Sequence, residues 1–142
     1  MRAWLIRSCL ALGLGLLAIQ LVPVVRTNPP LQSDIPAAAD VKGVLRRACY
    51  DCHSNETVWP WYSRVAPVSW LVVSDVDQGR RQLDFSAWDA YSERQRARKI
   101  RKIWEKVQEG HMPPWYYLAL HRDARLSERD RAIVRQWVGG AS

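Results

Sequence analysis

The sequence predicts an all-α protein, in which one N-terminal membrane-spanning helix precedes a small helical domain of about 100 residues. Three observations predict this. Residues 8–25 carry no charge. Beyond residue 40, apolar residues recur at spacings of three and four, which is the helical period. Sustained alternation of apolar and polar residues, which is typical of strands, is almost absent.

The N-terminal segment, residues 1–26, is predicted to be a retained membrane anchor. Its uncharged run, residues 8–25, is just long enough to cross a bilayer as a helix. A cleaved signal peptide has small residues at its cleavage site, whereas this run ends in bulky residues and Arg26. Because Arg2 and Arg7 precede the span, the positive-inside rule predicts a single-pass protein of the bacterial inner membrane with its domain in the periplasm.

Residues 27–39 are predicted to form an extended tether, because they contain three prolines. The domain then covers residues 40–142. Its first helix is predicted to begin with Asp40 as the N-cap. The apolar positions of this helix are Val41, Val44, Leu45 and Ala48. The helix would bring Cys49 and Cys52 to one side at its end.

Three more helices are predicted, with loops between them. Residues 67–83 form the second, which begins with a proline suited to a first turn. Ser92 and Gln95 make a capping box for the third, which ends at Gly110. Ser127 caps the last. The second helix is expected to turn one apolar face inward: Val68, Leu71, Val72 and Val76.

Basic residues outnumber acidic ones in residues 27–142, by 18 to 14, and six of them fall between residues 94 and 102. Two interpretations of this cluster remain open. The predicted helix 92–109 could dock an acidic partner protein, or its basic face could simply be solvated. Nucleic acid is excluded as a partner, because the domain is expected to be exported and tethered.

The sequence CYDCH at residues 49–53 allows four chemistries. Thiol redox chemistry needs a strand before the first cysteine, whereas an amphipathic helix is predicted there. Structural zinc needs two more ligands at a comparable spacing, and only His111 and His121 remain in the domain. A disulfide suits an oxidising compartment, but it leaves His53 unexplained.

The fourth chemistry, c-type haem attachment, explains each position of the motif. Cysteines three positions apart in a helical turn point the same way, so Cys49 and Cys52 can each form a thioether with one haem vinyl group. His53 then lies under the iron as the proximal ligand. The motif therefore predicts one covalently bound haem c.

A six-coordinate iron needs a distal ligand, and Met112 is the only methionine of the domain. It lies in the sequence GHMPPW, where two prolines stiffen the loop. A thioether on a rigid loop suits an axial ligand. His111, His121 and a vacant position remain alternatives, and a lone methionine can also simply fill a core.

These residues resemble class I cytochromes c and, more closely, a family of bacterial haem-binding domain proteins. The resemblance covers nearly the whole chain, including CYDCHSNETVWPWYSRVAPVSWLV, GRRQLDFSAW, GHMPPWYYLALHRDARLS and RAIVRQWVGG. It implies that Cys49 and Cys52 bind haem covalently. It also implies that His53 and Met112 are the axial ligands of the iron. The implied fold is cytochrome c-like, with the first and last helices of the domain crossing beside the haem.

Further expectations concern residues around the haem. The segment between His53 and Met112 is longer and richer in tryptophan than in typical small cytochromes, which indicates a midsection of different shape. The other ring nitrogen of His53 is expected to bond a backbone carbonyl between residues 58 and 67. Four side chains are candidate donors to the haem propionates: Trp59, Trp61, Tyr62 and Arg64.

The function expected from the sequence is single-electron transfer by a membrane-tethered monohaem cytochrome, with no enzymatic turnover. The basic helix 92–109 would dock an acidic redox partner. A haem-based sensor or gas-binding module, in which a ligand displaces Met112, is the alternative. A peroxidase-like enzyme would need an open distal position and a catalytic base, for which His111 is the nearby candidate.

Overall fold

The computed structural model describes residues 2–140, and every regular element in that range is helical. The α-helices are α1 (Arg2–Ala18), α2 (Ala39–Ala48), α3 (Tyr50–His53), α4 (Val68–Gln82), α5 (Glu93–Gln108), α6 (Trp115–Leu120) and α7 (Glu128–Gly140). Short 3-10 helices cover Ile19–Leu21, Trp61–Arg64, Phe85–Ala90 and Arg122–Ala124. Since no strand occurs in the described range, the predicted all-α fold class is confirmed.

Helix α1 and the 3-10 turn after it form one apolar helix, Arg2–Leu21, that is long enough to span a membrane. At 1.5 Å per residue its 20 residues measure about 30 Å, the thickness of a bilayer's hydrocarbon core. None of the residues of this helix is buried against the rest of the protein. The helix stops before the uncharged run does, because Pro23 cannot continue it.

Residues 27–38 have no regular secondary structure, and they pack along the domain instead of standing away from it. The backbone N–H groups of Gln32 and Ser33 both donate to the carbonyl oxygen of Ser86, at 3.1 Å. Ile35 is only 1% exposed and belongs to the hydrophobic core. The Asp34 carboxylate lies 2.7 Å from the ammonium group of Lys42. This segment is therefore part of the folded domain.

The N-cap of helix α2 is Ala38, two residues before the predicted N-cap Asp40. Asp40 lies instead in the first turn, where a carboxylate also favours the helix. The predicted apolar face is buried as expected: Val41, Val44, Leu45 and Ala48. Cys49 leaves the helical conformation and separates α2 from α3.

Helices α2 and α7 pack together, as the cytochrome c-like arrangement implies for the first and last helices of the domain. The α7 side of the core contains Val134 and Val138. An ion pair of 2.9 Å between Arg47 and Asp130 joins the two helices at the surface. Helix α5 also packs on α7, and the buried ring of Trp88 belongs to the same core.

Helix α4 has the predicted bounds to within one residue at each end, but its predicted inward face is buried only in part. Val76 is buried, whereas Val68 and Leu71 are exposed. The reason is that the helix is covered near its C-terminal end, where Gly79 approaches α3. The expectation of a fully inward apolar face was wrong for the first turns of the helix.

The termini of α5 match the predicted capping signals. The hydroxyl of Ser92 accepts the N–H of Gln95, and the Gln95 side chain accepts the N–H of Ser92, which completes the capping box. At the other end, Gly110 has a φ of 72°, which favours glycine. His111 N–H then bonds the Lys106 carbonyl at 3.0 Å, as in a Schellman motif.

The last part of the chain contains one helix that was predicted to be loop. Helix α6 follows Pro114 directly and has no side-chain cap. The start of α7 was predicted correctly: the Ser127 hydroxyl accepts the N–H of Asp130, whose carboxylate accepts the N–H of Ser127.

Candidate functional site

The structure brings the four predicted site residues to one cavity. Cys49, Cys52 and His53 form one part of its wall, and Met112 forms another. The cavity has a volume of about 570 Å³, which is within the usual range of cofactor sites. Its wall includes the apolar side chains of Phe85 and the α5 core residues Ile103 and Val107.

His53 is held through one nitrogen of its ring. Its Nδ1 lies 3.0 Å from the carbonyl oxygens of both Gly79 and Leu83, at the end of α4. Both partners are acceptors, so the proton is on Nδ1 and the lone pair is on Nε2. The acceptor expected between residues 58 and 67 was therefore wrongly predicted. Leu83 follows the last residue of α4, so its carbonyl is open to a side chain, whereas the Gly79 carbonyl accepts the N–H of Leu83 as well as that of His53.

Burial also keeps the His53 imidazole neutral. The loss of solvent lowers the pKa of His53, against the opposing effect of the two carbonyl acceptors. A neutral imidazole with a free Nε2 is the form that binds a metal. The orientation and the charge state of this ring therefore both suit an iron ligand.

Gly79 allows helix α4 to approach the cysteine motif, and this role of Gly79 was not predicted from the sequence. A Cβ atom at this position would overlap the carbonyl oxygen of Cys52 and lie 3.2 Å from the Cys52 Cβ. Only glycine permits this contact, which in turn brings the Gly79 carbonyl within reach of His53. A glycine inside the predicted helix 67–83 was the available signal.

The thiols of Cys49 and Cys52 are free in the structure. Burial raises the pKa of each thiol to about 12. A thiol redox site instead has a cysteine of lowered pKa, because the thiolate is the reactive form. Within residues 2–140 the structure gathers no group of three or more His, Cys, Asp or Glu side chains that could hold a metal ion. Thiol redox chemistry and structural zinc binding thus find no support in this site.

The two residues between the cysteines, Tyr50 and Asp51, have structural roles. The buried Tyr50 donates its hydroxyl to Asp34 at 2.5 Å, which ties the motif to the segment 27–39. Asp51 accepts the hydroxyl of Tyr117 at 2.8 Å and the backbone N–H of Val58 at 3.0 Å. Hydrogen bonds thus connect the motif to the segment 27–39 through Tyr50, and to Val58 and Tyr117 through Asp51.

Met112 lies at the open side of the cavity and is 39% exposed. The end of α5 positions its loop, because the Lys106 carbonyl accepts the N–H of Met112 at 3.1 Å. His111, the first alternative ligand, is exposed and lies 3.0 Å from the Glu109 carboxylate, away from the cavity wall. His121 stacks on Tyr117 in a separate small recess. Of these three side chains, only Met112 belongs to the cavity wall.

Three lysines of α5 line the cavity: Lys99, Lys102 and Lys106. Their spacings of three and four place them on one face, beside the buried Ile103 and Val107. Burial lowers the pKa of Lys99, whose ammonium group donates to the Gln82 carbonyl at 2.6 Å. These are the cations nearest to any cofactor in this cavity.

The residues expected to bind propionates lie elsewhere. None of the four candidates belongs to the cavity wall: Trp59, Trp61, Tyr62 and Arg64. Tyr62 lies in the recess of His121, and Trp61 is exposed to solvent. Nearness in sequence to the cysteine motif therefore does not by itself place a side chain on the wall of this cavity.

Comparison with known proteins agrees with this chemistry. Neither a curated protein nor a solved structure matches the chain. The sequence model of a family described as the haem-binding domain matches residues 14–139, which include all four predicted site residues. This match covers most of the chain, and the protein therefore belongs to the haem-binding domain family.

Proposed function

We propose that the protein is a membrane-tethered monohaem c-type cytochrome that transfers single electrons in the bacterial periplasm. The observation that carries the proposal is the gathering of Cys49, Cys52, His53 and Met112 on one cavity, with Nδ1 of His53 already bonded. Family membership supports haem as the cofactor.

Covalent attachment would use both cysteines. Each thiol would add across one vinyl group of the haem, so that the sulfur would bond to one vinyl carbon and the proton would go to the other. No oxidant or leaving group is needed. The two thiols are free and both line the cavity, which is consistent with this role.

The axial ligands would be Nε2 of His53 and the sulfur of Met112. Haem supplies a one-electron couple, and His/Met ligation raises its reduction potential. The chain's own contribution is to fix the imidazole through two carbonyls and to hold the thioether on a loop anchored at Lys106. Lys99, Lys102 and Lys106 are suited to bind the anionic propionates.

The same helix provides a docking surface for an acidic redox partner. While its lysines line the cavity, other basic residues of α5 face solvent: Arg94, Arg98 and Arg101. A partner bound to this surface would lie close to the haem. Such contacts are weak and sensitive to salt. The helix Arg2–Leu21 would hold the domain on the inner membrane.

A second function, reversible gas binding, is favoured by one observation. Met112 is 39% exposed at the open side of the cavity, so a small ligand could displace it. A peroxidase-like role has less support, because His111 lies on Glu109 and away from the cavity wall. We expect no enzymatic turnover.

Absorption spectra of the purified full-length protein test the proposal. A pyridine haemochrome spectrum should show haem c, and the oxidised protein should show the weak long-wavelength band of methionine-ligated ferric haem. Met112→Ala should abolish that band and give a high-spin spectrum, because the thioether is lost. The neighbouring His111→Ala variant is the matched control and should keep the wild-type spectrum.

Two results would contradict the proposal. A protein without covalent haem overturns the cytochrome assignment as a whole. A high-spin wild-type protein whose reduced spectrum shifts on addition of CO overturns electron transfer and supports gas binding instead.

A further inference from the structure

An exposed apolar surface lies where the 3-10 helix Trp61–Arg64 meets the start of α4. We call it the 61–71 patch; its members are Trp61, Val65, Val68, Trp70 and Leu71. Trp61 is 76% exposed and Leu71 is 51% exposed. Val68 and Leu71 are three positions apart on α4 and so share one face. Exposed apolar patches mark contacts with another protein or with lipid.

The 61–71 patch is fastened to the end of the apolar helix Arg2–Leu21. Gln20, in the last turn of that helix, donates its side-chain N–H to the Ala66 carbonyl at 3.1 Å. The Gln20 side-chain oxygen accepts the N–H of Ala66 at 2.9 Å. Ala66 lies in the middle of the patch sequence. The patch is therefore held at the level where a membrane-spanning α1 would leave the bilayer.

The charges near the patch also suit a lipid surface. Residues 57–74 contain a single charged residue, Arg64, and it is exposed. Arg26, directly after the apolar helix, donates to the Ser63 carbonyl at 3.0 Å, so a second cation lies beside the patch. Tryptophan is enriched where bilayers meet water, and arginine is attracted to anionic headgroups.

We propose that the 61–71 patch inserts into the headgroup region of the leaflet that α1 leaves, so that the domain lies on the membrane surface. The inference rests on the proposed membrane span and is independent of the haem chemistry. Lipid is the occupant because the two hydrogen bonds between Gln20 and Ala66 hold the patch beside the last turn of the span. The domain thus has two membrane contacts, of which the span is only the first.

Spin labelling of the full chain in phosphatidylcholine–phosphatidylglycerol nanodiscs tests this. On a Cys9→Ser background, a nitroxide is placed at Leu71→Cys in the patch, and the same background without an added cysteine controls for label on Cys49 or Cys52. Matched labels are placed at Leu12→Cys inside the span and at Arg129→Cys on the exposed face of α7. The measurement is the ratio of nitroxide accessibility to oxygen, which concentrates in lipid, over accessibility to a water-soluble nickel chelate.

We expect the ratio at position 71 to be several-fold higher than at position 129 and to approach that at position 12. Equal ratios at positions 71 and 129, with a lipid-embedded label at 12, would overturn the insertion and leave the span intact. A water-accessible label at 12 would overturn both. Protection of position 71 from both reagents would mean that protein covers the patch, which rejects lipid as the occupant.

The role of Gln20 is tested in the same assay. Gln20→Ala removes both hydrogen bonds to Ala66, so the ratio at position 71 should fall toward the value at position 129. Gln136→Ala, an exposed position on α7, is the matched control and should leave the ratio unchanged. An unchanged ratio in Gln20→Ala would overturn the role of Gln20. Haem spectra of the same samples report separately on the proposed function.

Discussion

At the scale of single residues, the site depends on a position that would not bind the cofactor. Gly79 lets α4 lie directly on the carbonyl of Cys52, and its own carbonyl then orients His53. The absence of a side chain at one position thus brings together two elements that are far apart in sequence. A methyl group there would separate them.

We predict that Gly79→Ala destabilises the protein by about 1–3 kcal/mol, the usual cost of overpacking a filled interior. The new Cβ would overlap backbone atoms, which cannot move away as a flexible side chain can. Urea unfolding of the full chain in detergent, followed by circular dichroism, measures the change. His53 should also lose its fixed orientation, which would appear as an altered haem spectrum.

Gly43→Ala in α2 is the matched control. A Cβ at Gly43 would meet no atom within 4 Å, and the residue is exposed. Alanine there should leave the stability unchanged or raise it by about 0.5–1 kcal/mol, because glycine is unfavourable inside helices. Equal effects of the two substitutions would refute the steric argument.

At the scale of elements, local signals predicted helix ends well and helix faces less well. The capping box at Ser92, the glycine at 110 and the Ser127 cap all depend on neighbours in sequence, and all were predictable. The exposure of Leu71 was not, because it depends on which part of α4 another element covers. Helix α6 was missed because it has no side-chain cap.

The residues of the candidate site were likewise predictable only in part. A short motif and a lone methionine on a proline-rich loop were enough to single out four residues, and the structure places them on one cavity. The lysine row of α5 and the acceptors of His53 come from elements distant in sequence. Local patterns contain no information on which helices lie side by side, so these residues could not be assigned.

The stability contributed by the contact between the segment 27–39 and the helices should depend on pH. Burial alone would raise the pKa of Asp34, but hydrogen bonds from Lys42 and Tyr50 outweigh it and lower the pKa below its ordinary value. A lowered folded-state pKa contributes stability above the unfolded pKa of about 4, and this contribution is lost as the pH falls through the folded value.

We therefore predict that wild type is more stable than Asp34→Asn at neutral pH and that the difference shrinks below about pH 4. Urea midpoints measured across that range for both proteins give the difference directly. Tyr50→Phe removes one of the two donors and should show a smaller pH dependence than wild type. A difference that stays constant through acid pH would contradict the assignment.

At the scale of the whole molecule, the segment 27–39 should behave as part of the domain. The N–H groups of Gln32 and Ser33 are bonded to Ser86, and Ile35 is in the core. We predict that hydrogen–deuterium exchange of the full chain in nanodiscs finds these amides protected. Ile35→Ala should release the segment and speed up exchange, whereas Leu31→Ala, at an exposed position, should not. Exchange at the rate of an unstructured peptide in wild type would contradict the docking.

In the proposed electron transfer, the docked segment would also determine how the protein meets a partner. A free chain of 13 residues could let a domain swing through about 40 Å, which would allow it to carry electrons between fixed complexes. Here the segment is bonded to Ser86, and Gln20 joins the apolar helix to Ala66. The domain would then travel only as fast as its anchor diffuses in the plane of the bilayer. Encounters would be a two-dimensional search, and the surface density of the partners in that membrane would set their rate.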